Sequence, residues 1–112
     1  MQMETNIKNN HILAIESDIR ESLLPTVIDP EIEIDIVNLG LVYDVEFDGN
    51  RNVLITMTLS TPTCPLGDSI VMNVIETIKR KYPDLEVDVN LVYEPQWNDS
   101  MITPKGRIML GM

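Results

Sequence analysis

The chain has 112 residues, enough for one domain and too few for two independent cores. Apolar residues make up 44% of it, aromatic residues only 4%, and the mean hydropathy is near zero, the balance of a compact soluble fold rather than a disordered chain. Eighteen Asp and Glu against eight Lys and Arg give a formal charge of −10, which repels nucleic acid and anionic membranes at long range. No run approaches the roughly 18 apolar residues of a membrane span. The opening "MQMETNIKNNHIL" lacks the basic flank, apolar block and small-residue site of a secretory signal. A single cysteine forms no internal disulfide, and the expected compartment is the cytoplasm. The seven methionines share no common spacing and are read mostly as gap-filling core residues.

Residues 1–11 are polar and aperiodic, and are expected to form a flexible N-terminal tail ahead of a single domain over 12–112. Ile12, Ile15, Ile19, Leu23 and Val27 form a helical stripe, with Ser17 as a candidate N-cap and Asp18 as an acid in the first turn. Pro25 should kink or end that helix, and "DPE" at 29–31 closes it. Strand patterns follow. Ile32, Ile34 and Ile36 alternate with Glu33 and Asp35, and "LVYDVEFDG" and "VLITMTLS" alternate on either side of the turn "DGNRN", predicting an antiparallel hairpin. Leu66, Ile70, Val74, Ile78 and Tyr82 predict a helix over 65–82, with Asp68 in its first turn and "KRK" in its last. "LEVDVNLVYE" is an alternating strand, and a right-handed crossover follows if it lies parallel beside the preceding strand. Residues 95–112 read as irregular, with one helical turn near 99–104. The expected fold class is α+β: two layers, with a mixed sheet of about four strands and helices packed on one face.

The only cysteine, Cys64, falls in "STPTCPLG", between the strand ending near 60 and the helix. Proline is favoured at the first helical position, so with Pro65 there Cys64 is the expected N-cap, where free N–H groups and the helix dipole favour a thiolate. A thiolate is a nucleophile and a metal ligand. The competing reading is a buried structural thiol, the usual fate of a lone cysteine. A cysteine hydrolase needs a histidine base, and the only histidine, His11, lies in the predicted tail. A structural zinc site needs four ligands, so any metal at Cys64 must be transient or shared, with ligands borrowed from carboxylates, a second chain or a partner.

Asp29 and Glu31 flank a proline turn and are either a solvated helix stop or acids lining a groove beside Cys64. Trp97 follows the last strand in "YEPQW" and either caps the core edge or anchors a partner. Thr58 and Thr61 could offer hydroxyl hydrogen bonds near the thiol, although strand propensity explains Thr58 equally well.

Together "VIDPEIEIDIVNLGLVYDVE" (27–46), "ITMTLSTPTCPL" (55–66) and "VYEPQW" (92–97) resemble the metal–sulfur cluster biosynthesis factors of the SufT and PaaD type. A eukaryotic component of the cytosolic iron–sulfur targeting complex is similar. The resemblance covers about residues 17–112. It implies a small α+β domain that helps assemble iron–sulfur clusters or deliver them to client proteins. The family's functional cysteine would correspond to Cys64, its motif acids to Asp29 and Glu31, its threonines to Thr58 and Thr61, and its tryptophan to Trp97. Gln96 stands where the family often has a second proline, which loosens the turn before Trp97, and Ser60 stands where many relatives have threonine.

The resulting expectation is a non-enzymatic maturation factor acting through a helix-capping Cys64. No cofactor is permanently bound, and a transient iron–sulfur cluster or iron is the candidate cargo. Client or scaffold proteins are the expected partners, with a homodimer possible from the exposed sheet edge and the shortage of ligands. Three alternatives stand beside it: a metal-free adaptor, an interaction subunit in oxygenase maturation as in PaaD, and a thiol-dependent enzyme.

Overall fold

The computed structural model describes residues 9–61 and 66–112. Helix α1 spans Asn10–Asp18 and is capped by Asn9, whose side chain accepts the Ile12 N–H at 2.8 Å. Ser17 and Asp18 are therefore helical interior rather than an N-terminus, and His11, assigned to the tail by its sequence, lies in the first turn. The helical path does not break before Pro25. It widens into a π turn over Ile19–Leu23, then tightens into a 3-10 turn over Leu24–Thr26 that carries Pro25 in its first positions. The missing proline N–H is absorbed by this change of pitch.

The alternating isoleucines at 32–36 do not make a strand of the main sheet. Strand β1 (Ile28–Asp29) and strand β2 (Ile34–Asp35) form a separate two-stranded antiparallel ribbon. The turn between them is tight: the Glu33 N–H donates to the Asp29 carbonyl at 2.7 Å, and Glu33 adopts a φ of 67°. Asp35 is buried rather than solvent-facing. Its carboxylate accepts the backbone N–H of Asn38 at 3.0 Å and the Asn38 amide at 2.8 Å.

The main sheet has three strands, β3 (Val42–Phe47), β4 (Asn52–Met57) and β5 (Glu86–Leu91), in the order β3-β4-β5. The hairpin β3–β4 is antiparallel, as predicted, and β4–β5 is parallel, the arrangement on which the crossover expectation depends. Pairing aligns Phe47, Val53 and Val87 in one row and Val45, Ile55 and Val89 in the next, so one face is apolar throughout. Helix α2 (Gly67–Lys81) buries Ile70, Val74 and Ile78 in the same core. The opposite face of the sheet, carrying Asp44, Glu46, Asp88 and Asn90, is open to solvent. With five strands in two sheets among the described residues and helices beside them, the fold is α+β.

Helix α2 begins at Gly67 with Leu66 in the capping position and no side-chain cap, two residues later than the expected start at Pro65. The C-terminal segment holds more structure than its sequence suggests. A 3-10 turn covers Asp99–Met101 and helix α3 covers Pro104–Leu110. Thr103 caps α3 by accepting the Gly106 N–H at 3.0 Å, and its hydroxyl donates to Asn38 at 2.6 Å, which ties the C-terminus to the 38–41 segment. Gly40, at φ 81°, lies so close to the Met101 backbone that a Cβ there would collide with it.

Candidate functional site

The site grows from the end of β4. Beyond Met57 the chain stays fixed on both sides: the Thr58 N–H donates to the Leu41 carbonyl and the Val92 N–H to the Met57 carbonyl, each at 2.9 Å. These bonds bury Thr58, which is 1% exposed, and Leu59. Leu59 meets the start of α2, where a Cβ on Gly67 would lie 2.7 Å from Leu59 Cδ1. The two described ends of the segment carrying Cys64 are thus held against each other. Cys64 itself lies outside the described residues, and the capping position expected for it is held by Leu66.

A cavity of about 200 Å³ opens at this strand end, lined by Thr58, Leu59, Ser60, Tyr93, Gln96 and Trp97. Trp97 is half-buried and packs on the core, and its indole Nε1–H donates to the Leu39 carbonyl at 2.7 Å. The Gln96 substitution therefore leaves the indole anchored, and its packing is that of a cap on the core edge. Three sequence segments separated by up to 58 positions meet here: "LGL" at 39–41, the Thr-rich strand end and "YEPQW".

Tyr43 joins them, a residue the sequence offers only as one apolar position of an alternating strand. Its hydroxyl donates to the Pro95 carbonyl at 2.7 Å and lies 3.7 Å from Met101 Sδ. Burial pushes the Tyr43 phenol up from its ordinary range and the Glu94 carboxylate adds to this, against the opposing effect of a hydrogen bond with Thr58. The phenol thus remains a neutral donor at physiological pH.

The structure does not bring the other predicted residues into this cavity. Thr61 is exposed on the bend that follows it. Asp29 and Glu31 belong to the β1 turn and are not among its lining residues. Asp29 is 1% exposed; its Oδ1 accepts the N–H groups of Glu31 at 2.8 Å and Ile32 at 3.3 Å, while its buried Oδ2 has no hydrogen-bond partner among the described residues. Glu31 is exposed. His11 stacks edge-on against Phe47, with ring centroids 5.9 Å apart. Phe47 is at the far end of β3 from the cavity, about 17 Å along the strand. Among the described residues, no three His, Cys, Asp or Glu side chains converge to hold a metal ion. No helix among them is long and apolar enough to cross a membrane.

This α+β architecture recurs in a solved structure from Bacillus anthracis, described as a domain of unknown function DUF59. The two superpose with a TM-score of 0.85 at 40% identity, covering 91% of this chain and 96% of that one. Residues 16–91 match the family described as iron-sulfur cluster assembly protein. The chain belongs to that family. It is 37% identical to an Fe-S protein maturation auxiliary factor of Porphyromonas gingivalis over 92% of this chain and 97% of that protein. It is also 40% identical to the Fe-S protein maturation auxiliary factor SufT of Staphylococcus aureus over 77% of this chain and 98% of that protein.

Proposed function

We propose that this chain is a non-catalytic auxiliary factor of the cytoplasm that helps assemble iron–sulfur clusters or deliver them to client proteins, acting through Cys64. The observation that carries the reading is the meeting of its motif segments at one strand end. Thr58 and Trp97 share a cavity beside the two anchored ends of the segment that holds the thiol. A thiolate just ahead of α2 would gain from the helix dipole without being the capping residue itself. Iron or a cluster is cargo in this reading, not a resident cofactor. One cysteine supplies one ligand, so the remainder would come from a client, a scaffold or a second copy of the chain. The distance of His11 from this end of the sheet speaks against a histidine-assisted thiol enzyme.

A second reading, the metal-free adaptor, draws support from Asp29. A buried carboxylate oxygen without a donor among the described residues is costly, and it becomes useful when a docking partner opens the turn and supplies an N–H or O–H. The two readings part on one experiment. Aconitase-type activity is measured in cells lacking this protein and complemented with wild type or Cys64→Ser at equal abundance. Restoration by the wild type alone is the expected result. Equal restoration by both removes Cys64 from the mechanism and leaves the adaptor. Anaerobic iron and sulfide analysis of the reconstituted protein then distinguishes a carrier, which loses metal with Cys64→Ser, from a protein that holds none.

A further inference from the structure

The two edges of the main sheet are treated differently. Along β3 two N–H groups turned away from β4 are satisfied by side chains: Phe47 donates to Glu16 Oε2 of α1 at 2.8 Å and Val45 to the Asp44 carboxylate at 2.9 Å. Along β5 the Glu86 N–H donates to the Arg51 carbonyl at 2.6 Å and the Val92 N–H to Met57 at 2.9 Å, so even-numbered residues face β4. Val87, Val89 and Leu91 therefore turn their N–H and C=O groups outward. Among the described residues nothing pairs with these N–H groups. An unpaired edge of six residues is a template for another strand.

The side chains along this edge define what fits. On the core side, Val89 and Leu91 are only half-buried, and so are Val71 and Ile75 of α2, which packs against β5. On the solvent side stand Glu86 and Asp88. Arg51 lies 3.7 Å from Glu86, whereas among the described residues no lysine or arginine pairs with Asp88. Asp88 also borders a shallow depression of about 340 Å³ together with Glu46, Asp48 and the exposed Leu54. Asp48 there is held down to about 2 by the Asn52 side chain and by backbone N–H groups.

We propose that the β5 edge is a docking site for an extended segment of a partner protein whose residues alternate between apolar and Lys or Arg. Main-chain bonds to Val87, Val89 and Leu91 supply the pairing. The apolar residues continue the half-buried face, and the basic ones stand beside Glu86 and Asp88. A second copy of this chain is a poor occupant, because antiparallel self-pairing sets these acids against each other on molecules that each carry −10. The site is independent of Cys64 and stands or falls apart from it.

The test is amide hydrogen exchange and titration with the peptide Lys-Val-Lys-Val-Lys-Val-Lys. In the free protein the Val87, Val89 and Leu91 amides should exchange fast, while Asp88 and Asn90 are protected. Saturating peptide should slow those three at least tenfold and leave the β3 edge unchanged. Asp88→Lys should weaken binding about fivefold or more, and Val89→Pro, which removes an outward N–H along with the valine's packing on the core, should abolish the protection while the Asp88 and Asn90 amides stay protected. Equal binding of a scrambled peptide of the same composition, or of the Glu-Val counterpart, overturns the proposal. So does protection of the three amides in the free protein through concentration-dependent self-association.

Discussion

Asp29 divides its two oxygens between different tasks. Oδ1 closes the turn after the N-terminal helical segment by accepting two backbone N–H groups, whereas the buried Oδ2 has no donor among the described residues. The two substitutions that separate these tasks should behave differently. Asp29→Ala leaves the Glu31 and Ile32 N–H groups without their acceptor and should cost about 1–3 kcal/mol in urea unfolding. Asp29→Asn keeps an acceptor for the turn and should fall within about 1 kcal/mol of wild type. If Oδ2 receives a donor from a docked partner, the asparagine variant will be folded yet impaired in the complementation assay. Full activity of that variant would confine Asp29 to its turn.

Between elements, the end of α1 is clasped to the end of α2. The Tyr82 hydroxyl donates to Asp18 Oδ2 at 2.5 Å, and Lys81 Nζ lies 2.8 Å from the same oxygen. The hydrogen bonds from Lys81 and Tyr82 hold the Asp18 carboxyl below its ordinary 3.8. Its contribution is therefore present above pH 3.8 and is lost as the pH falls through the lowered value. Burial, and then Asp18 itself, push the Tyr82 phenol up to about 12 from 10.0, so its contribution is complete below pH 10 and is lost as the pH rises through 12. Tyr82→Phe should cost about 1 kcal/mol at neutral pH, since the clasp is partly solvated, and should flatten both limbs of the stability–pH curve. Unchanged limbs in chemical denaturation across pH would show that the clasp carries no net energy.

Elements with long periodic patterns were legible in the sequence. Strands β3, β4 and β5 and helix α2 each repeat an apolar position often enough to fix type and facing. Shorter elements were decided by contacts with no periodicity. The alternation of Ile32, Ile34 and Ile36 resembles a strand, but the turn closed by Asp29 and the positive φ of Glu33 limit pairing to two residues on each side. Helix α3 is too short to show a stripe, although Thr103-Pro104 and Gly111 are a cap, a first-turn proline and a left-handed stop. In the candidate site, Thr58 and Trp97 could be named from their motifs. Their partners Tyr43 and the Leu39 carbonyl could not, because Tyr43 is 52 positions from Pro95 and Leu39 is 58 positions from Trp97, and they meet only after folding.

At the scale of the whole molecule, the sheet must be shielded where nothing is meant to bind, and Glu16 provides that shield. It is the one contact by which a side chain of α1 satisfies an outward N–H of β3, at Phe47, among the hydrogen bonds of the described residues. The same helix holds His11 against the Phe47 ring, so side chain and backbone of one residue are both covered. Removing the carboxylate should open the second edge of a three-stranded sheet, leaving both sides available for strand pairing. Glu16→Ala should lose about 1–2 kcal/mol, the range of a charge-assisted bond reduced by partial exposure. It should also self-associate more than the wild type at equal concentration in light scattering, and more so at high salt, which screens the −10 charge. Glu16→Gln, which keeps an acceptor, should match the wild type. If the alanine variant lost stability without self-associating, the net charge alone would be what keeps the β3 edge apart.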